Sequence, residues 1–247
     1  MRRSSSPKTP KAPKADPRQR QPGRGNETPV EWLSPSGYRF VETRMPAVHA
    51  GAGAASFVDL ANQLAAGHIA NGRRGIAVCG AAAGAGVSFL ASNLAVAMAA
   101  AGVQTRLVEA NLRNPDLSEA IRPIVSGPGL AEYLMDATVN LPDVLNAEIV
   151  PNLDVIFAGA HHSEAADLLT TQRFARFAEA CLRDAGFTIF DTAPANRAVD
   201  ARVVAKAAGY ALLVARRGRS FHEDVSMLSE QLAQDRVVVV GTVLNRG

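Results

Sequence analysis

The sequence predicts an α/β fold, a doubly wound and mostly parallel sheet with helices on both faces. Three observations predict it: short, continuous apolar runs of strand length recur along the chain, stretches of helical spacing alternate with them, and a Gly/Ala-rich turn follows the first run directly. Continuous apolar strands belong to a sheet covered on both faces, and right-handed crossovers then give the doubly wound arrangement.

The elements follow in order. Phe57, Leu60, Leu64 and Ile69 lie near helical spacing and predict a helix over 54–69. GIAVCG (75–80) is a strand, and SFLASNLAVAMAAAG (88–102) is a helix ended by Gly102. TRLVEA (105–110) and LDVIFAG (153–159) are buried strands, separated by short helices around 130–135 and 142–147. Helical spacing over 164–184 leads into the strand FTIFDT (187–192). A helix near 198–207 precedes the strand YALLVAR (210–216), and a helix over 221–234 precedes RVVVVGTVLNR. Residues 75–105 carry no charge and are long enough to cross a bilayer, but they are rich in Ala, Gly and Ser. A strand, a glycine loop and a helix account for them better.

Charge divides the chain. Residues 1–30 hold eight basic and two acidic residues, leaving 18 basic against 21 acidic in the remainder, a net of −3. The overall excess of basic residues therefore belongs to a tail, and a nucleic-acid-binding core is not expected. That Pro-, Lys- and Arg-rich tail lacks hydrophobic periodicity and reads as disordered; it has no apolar stretch of the kind a secretory signal needs. It is either a plain solvated leader or an electrostatic tether to anionic lipid or an acidic partner. Residues 31–53 read as a linker with an aromatic segment (Trp32, Tyr38, Phe40) outside any clear element, and 54–247 as the folded domain. The widely separated Cys79 and Cys181 are read as reduced thiols. His161-His162 has no third ligand nearby in sequence and reads as an exposed loop, and Lys206, the one lysine beyond the tail, as a solvated helix position.

In doubly wound sheets ligands bind at the carboxyl ends of the strands. The first strand runs into Gly80-Ala-Ala-Ala-Gly84-Ala85-Gly86-Val87-Ser88-Phe89, and a helix follows at once. Small residues let the backbone wrap a phosphate so that N–H groups of the loop and helix N-terminus face the anion, the skeleton of a P-loop. LVEANLRNP (107–115), IFDTAP (189–194) and VVGTVLNR (239–246) follow in order. Together, from about residue 54 onward, these segments resemble the bacterial tyrosine kinases of polysaccharide assembly, relatives of the MinD/ParA-type P-loop ATPases.

The resemblance implies ATP or ADP and Mg²⁺ as ligands. It places Gly80, Gly84, Ala85, Gly86, Val87, Ser88 and Phe89 around the phosphates, with Asn245 reading adenine. Ser88 and Asp191 would hold the metal. Ser88 is alternatively a helix cap and Asn245 or Asp191 an ordinary strand-end group. The chain departs from the pattern where the loop lysine is Val87 and where the second carboxylate motif has Glu109 and Asn111 in place of two aspartates. Catalysis is therefore expected to be impaired. The family's tyrosine-rich tail is also not matched: the tyrosines are Tyr38, Tyr133 and Tyr210, and little autophosphorylation is expected. The oligomerising Glu and Arg positions are Ala55, Val58 and Ala61, so the family's ring is not expected by that contact. The resemblance implies an inner-membrane polysaccharide co-polymerase as partner and a cytoplasmic, peripheral location at that membrane. An active ATP-dependent tyrosine kinase and a MinD/ParA-like positioning ATPase are the alternatives.

Overall fold

The computed structural model describes residues 31–48, 52–123, 125–196 and 199–246. The basic tail lies outside the described residues. In chain order the elements are β1 (Glu31–Leu33), β2 (Tyr38–Val41), α1 (Ala52–Gly67), β3 (Gly75–Gly80), α2 (Val87–Ala100), β4 (Thr105–Glu109), β5 (Ile121–Pro123), α3 (Leu130–Met135) and α4 (Leu141–Val144). There follow β6 (Asn146–Val150), β7 (Leu153–Ile156), α5 (Ala165–Leu169), α6 (Gln172–Asp184), β8 (Phe187–Asp191), α7 (Asp200–Ala208), β9 (Tyr210–Arg216), α8 (His222–Gln234) and β10 (Val238–Asn245).

Among the described residues, seven strands form the main sheet in the order β10-β9-β3-β8-β4-β7-β6. Its pairings are parallel except for the edge pair β6–β7. Side chains alternate across it as strand geometry requires. Ile76 and Val78 of β3 join the core beneath α1 and α2, while Ala77 and Cys79 join the opposite core with α3, α6, α7 and α8. That alternation gives the expected two-faced, helix-covered sheet. The chain leaves β3 toward β4 on one side and reaches β9 on the other, so the order reverses at β3. A crevice opens at the carboxyl end of such a strand.

The charge-free stretch 75–105 is strand, loop and helix, and no helix among the described residues is long and apolar enough to cross a membrane.

Three element readings change. Residues 31–41 are a β-hairpin rather than unstructured linker. Trp32 pairs with Phe40 in its register, and β2 pairs with β5 to complete a second, three-stranded sheet. The segment is too short for a period to show. What orders it is tertiary: Phe40 and Met45 are fully buried in the α2-side core. Residues 142–147 are not one helix, since α4 is a single turn and β6 begins at Asn146. Glu148, at φ 46°, breaks the register of β6 between Asn146 and Val150, which erases the alternation that would mark a strand. Residues 164–184 divide at Thr171, whose hydroxyl caps α6 by accepting from the Phe174 N–H.

Candidate functional site

The loop between β3 and α2 is held open by glycines. Gly84 and Gly86 adopt φ +76° and +96°, values L side chains rarely take. A Cβ on Gly86 would stand 2.3 Å from Asn245 Nδ2, and one on Gly80 would stand 2.7 Å from Val87 Cγ2. Gly86 is the N-cap of α2 and offers no capping side chain, so the first-turn N–H groups are left for an external acceptor. Ser88 sits one residue inside the helix and is not its cap. Val87, the first helical residue, is buried against Gly80 and belongs to the core, yet it also lines the cavity. Phe89 packs edge-on to Phe57 at 5.6 Å. Asn245, at the end of β10, donates from Nδ2 to the Ala85 carbonyl at 3.1 Å, so its amide braces the loop in this conformation.

A cavity of about 320 Å³ opens over the loop, lined also by Asn111, Asp116, Thr192, Arg44 and Arg216. Beneath it three carboxylates converge. Asp191, at the carboxyl end of β8, is fully buried, and neither of its oxygens has a well-formed hydrogen bond. Burial, then the charges of Glu109 and Asp116, push its pKa well above the ordinary range, with the nearby Ser88 hydroxyl and Thr192 N–H offsetting part of this. Glu109 ends β4 and is engaged by backbone. Its Oε1 accepts from the N–H groups of Asp116 (2.8 Å) and Leu117 (2.7 Å), and its Oε2 from Ala158 (2.9 Å). Burial raises the Glu109 pKa against the pull of those bonds. One oxygen each of Glu109, Asp116 and Asp191 lie within 4.8 Å of one another.

That donor set, hard oxygen with an orphaned buried carboxylate, fits a divalent cation such as Mg²⁺. Asp116 is the member the sequence reading missed. It lies five residues past Asn111 in the same loop, a spacing that carries no motif. Asn111 turns inward on that loop, donating to the Asn114 carbonyl at 2.7 Å and accepting from the Asn114 N–H at 3.3 Å. Arg113 leaves the cavity altogether, pairing with buried Asp200 at 2.6 Å and donating to the Ser163 carbonyl. Arg44 and Arg216 were also missed, because the elements that bring them to the loop are remote in sequence.

The remaining candidates stay apart from this cavity. Among the described residues His161 and His162 join no cluster able to share an ion, and Lys206 is exposed on α7. Burial pushes the Cys79 thiol up to about 12 and Cys181 to about 11, so neither is a reactive thiolate. On α1, Ala55 and Val58 are exposed while Ala61 is buried in the core.

No family model matches the chain. Individual relatives do. The tyrosine-protein kinase CpsD of Streptococcus agalactiae is 30% identical over 171 residues, covering 69% of this chain and 73% of CpsD. Among solved structures, the chimerical protein CapA2B2 superposes with a TM-score of 0.75 at 25% identity, over 83% of this chain and 90% of that one. The septum site-determining protein MinD of Pyrococcus horikoshii, solved with Mg-ADP, superposes with a TM-score of 0.60 at 20% identity over 70% of each chain, a likeness of fold alone. With the sheet order and glycine loop already in place, these likenesses make the chain a member of the bacterial tyrosine-kinase family, built on the P-loop NTPase fold it shares with MinD.

Proposed function

We propose that the chain is a nucleotide-binding, kinase-derived protein whose phosphoryl transfer is impaired. It acts in exopolysaccharide, capsule or holdfast-type synthesis and export beside an inner-membrane polysaccharide co-polymerase, which holds it peripherally at that membrane. One observation carries the reading: the loop and its N–H groups are kept, while the groups that would do chemistry are not free to do it. Val87 brings no charge. A lysine-to-phosphate bond contributes about 1.5–3 kcal/mol, so its loss weakens nucleotide binding about 10- to 150-fold. The loss in the transition state is larger, since charge develops on the phosphoryl oxygens there.

Nor are the two residues at the family's second carboxylate motif free to act as a base for an acceptor hydroxyl. Both Glu109 oxygens are taken by N–H groups, and Asn111 is a neutral amide closed on its own loop. Ser88, Asp116 and Asp191 would hold Mg²⁺, which when bound would screen the phosphates and the carboxylate cluster. The loop N–H groups would hold the phosphates, and Asn245, braced on the Ala85 carbonyl through Nδ2, would lie toward the base.

A working tyrosine kinase is the second reading, favoured by Asp116, which adds a carboxylate to the cavity. Calorimetric ATP and ADP titration with and without Mg²⁺, followed by radiolabelled ATP with the partner present, separates the two. The proposal expects Mg-dependent binding and little phosphate on Tyr38, Tyr133 or Tyr210. Stoichiometric phosphotyrosine that disappears in Asp191→Asn would refute impairment.

A further inference from the structure

Two guanidinium groups reach the cavity whose loop lacks a lysine, and they come from unrelated parts of the fold. Arg44 follows β2 of the N-terminal hairpin, and its backbone is fixed by Asn93 of α2, whose Nδ2 donates to the Arg44 carbonyl at 2.8 Å. Arg216 ends β9, immediately beside the loop, and its Nη1 donates to the Gly84 carbonyl at 3.1 Å. Arg219 stands close behind, its Nη1 only 2.8 Å from where a Cβ on Gly84 would be.

Their partners set them apart from Arg113. Arg113 is tied to a buried carboxylate. Among the described residues Arg216 and Arg219 form no ion pair. Among the described residues Arg44 pairs with Glu119 alone, at 2.5 Å between two side chains that are each about half exposed, and a pair of that kind is readily exchanged for a better anion. A cation without a counter-charge, held by a single carbonyl beside the uncapped first turn of α2, is placed for an anion. A planar guanidinium also binds phosphate oxygens two at a time.

Resting on the nucleotide-binding reading above, we propose that Arg216 and Arg44 bind the phosphates of a nucleoside di- or triphosphate in this loop, supplying from two remote elements the charge that Val87 lacks. Arg216 grips the phosphate at the crown of the loop, exchanging the Gly84 carbonyl for it. Arg44 reaches in from the hairpin, exchanging Glu119. The hairpin thereby becomes part of the site, and nucleotide ties the second sheet to the first.

The test is calorimetric titration of the full chain with Mg-ATP and, separately, with inorganic tripolyphosphate. Arg216→Gln keeps a donor for the Gly84 carbonyl but removes the charge, and Arg44→Gln does likewise for the hairpin. Each is expected to weaken both ligands about tenfold, and the pair about a hundredfold, with a shallower salt dependence than the parent chain. The exposed neighbour Arg217→Gln is expected to bind as the parent does, and Arg216→Lys to fall between the parent and Arg216→Gln, keeping the charge but not the paired bonds. If parent and glutamine variants bind ATP within twofold of each other with unchanged melting temperatures, the inference falls while the nucleotide-binding reading stands. A loss confined to ATP, with tripolyphosphate unaffected, overturns it too, as does a lysine variant as weak as the glutamine one. A parent chain that binds none of ATP, ADP or tripolyphosphate overturns both.

Discussion

Replacing Glu109 tests whether this carboxylate is a structural tie. Its two oxygens hold three N–H groups, two of them buried, joining the loop at Asp116 and Leu117 to the strand end at Ala158. In Glu109→Gln one oxygen remains. If it keeps Asp116 and Leu117, those two bonds fall from charge-assisted to neutral strength, a loss of about 1 kcal/mol each. The new amide NH₂ then faces the Ala158 N–H, donor against donor, which adds about 1–3 kcal/mol for an unsatisfied buried group. Removing a negative charge from beside Asp191 and the cost of burying it gives part of this back, leaving a net destabilisation of about 1–3 kcal/mol. Urea unfolding followed by far-UV circular dichroism should move its midpoint down by roughly 0.5–1 M at a typical slope of about 2–3 kcal/mol per M. Glu109→Asp, which restores the family's residue, is one methylene too short to span both sides and should lose a comparable amount. An unchanged midpoint in both variants would refute the tie and return Glu109 to the candidates for chemistry.

Other perturbations have equally definite outcomes. Val87→Lys should raise ATP affinity about tenfold or more, from one charge-assisted bond, with hydrolysis still at background; no gain in a folded variant would mean the loop cannot accept phosphate. Deleting residues 1–30 should leave the melting temperature within a few degrees, whereas deleting 1–48 should lower it sharply. The longer deletion removes buried Phe40, Val41 and Met45, each contributing about 1.5–3 kcal/mol, and equal stability of the two truncations would refute the hairpin's role. His68 is buried between Phe187 and Tyr210, and burial first, then Arg73, holds its pKa below the usual value against the pull of the Gly75 carbonyl. The unfolded chain then takes up this proton before the folded one does. Stability should therefore fall as pH drops below about 6.5 toward the folded pKa, and His68→Gln should flatten that limb in urea titrations between pH 5 and 7.5.

How much of this was legible in the sequence depended on how local each signal was. The main strands and α2 were readable because each is a continuous apolar run or a helical period, and periodicity needs only near neighbours. The hairpin was not, because Phe40 is ordered by α2 and by β5, some 80 residues away in the chain. The glycine loop and Asp191 were readable from local text. Asp116 was not, since the fold of the 111–116 loop, rather than any spacing, turns it toward Asp191. Arg44 and Arg216 were invisible for the same reason: neither lies in the loop it serves.

The balance of charge around the site explains why loss of a lysine need not empty it. Asp191 is buried without a well-formed hydrogen bond and faces two more carboxylates, an arrangement that disfavours its charged form in the unliganded chain. Asparagine at 191 would remove much of that cost without altering the side chain's shape. Among the described residues the Ser88 hydroxyl and Thr192 N–H offset only part of this, for Glu109 already has its three N–H partners and Asp116 adds repulsion. What would offset the rest is a divalent cation below and a polyphosphate above, with the loop N–H groups and the two arginines closing the charge on the outer side. Asp116 of the cluster lines the same small cavity as the two arginines, with Glu109 and Asp191 beside it, yet no ion pair among the described residues joins the carboxylates to the arginines. Carboxylates on one side and arginines on the other, kept apart by a space of this size, are complementary to a metal–phosphate ligand, whose own charges run in the opposite order.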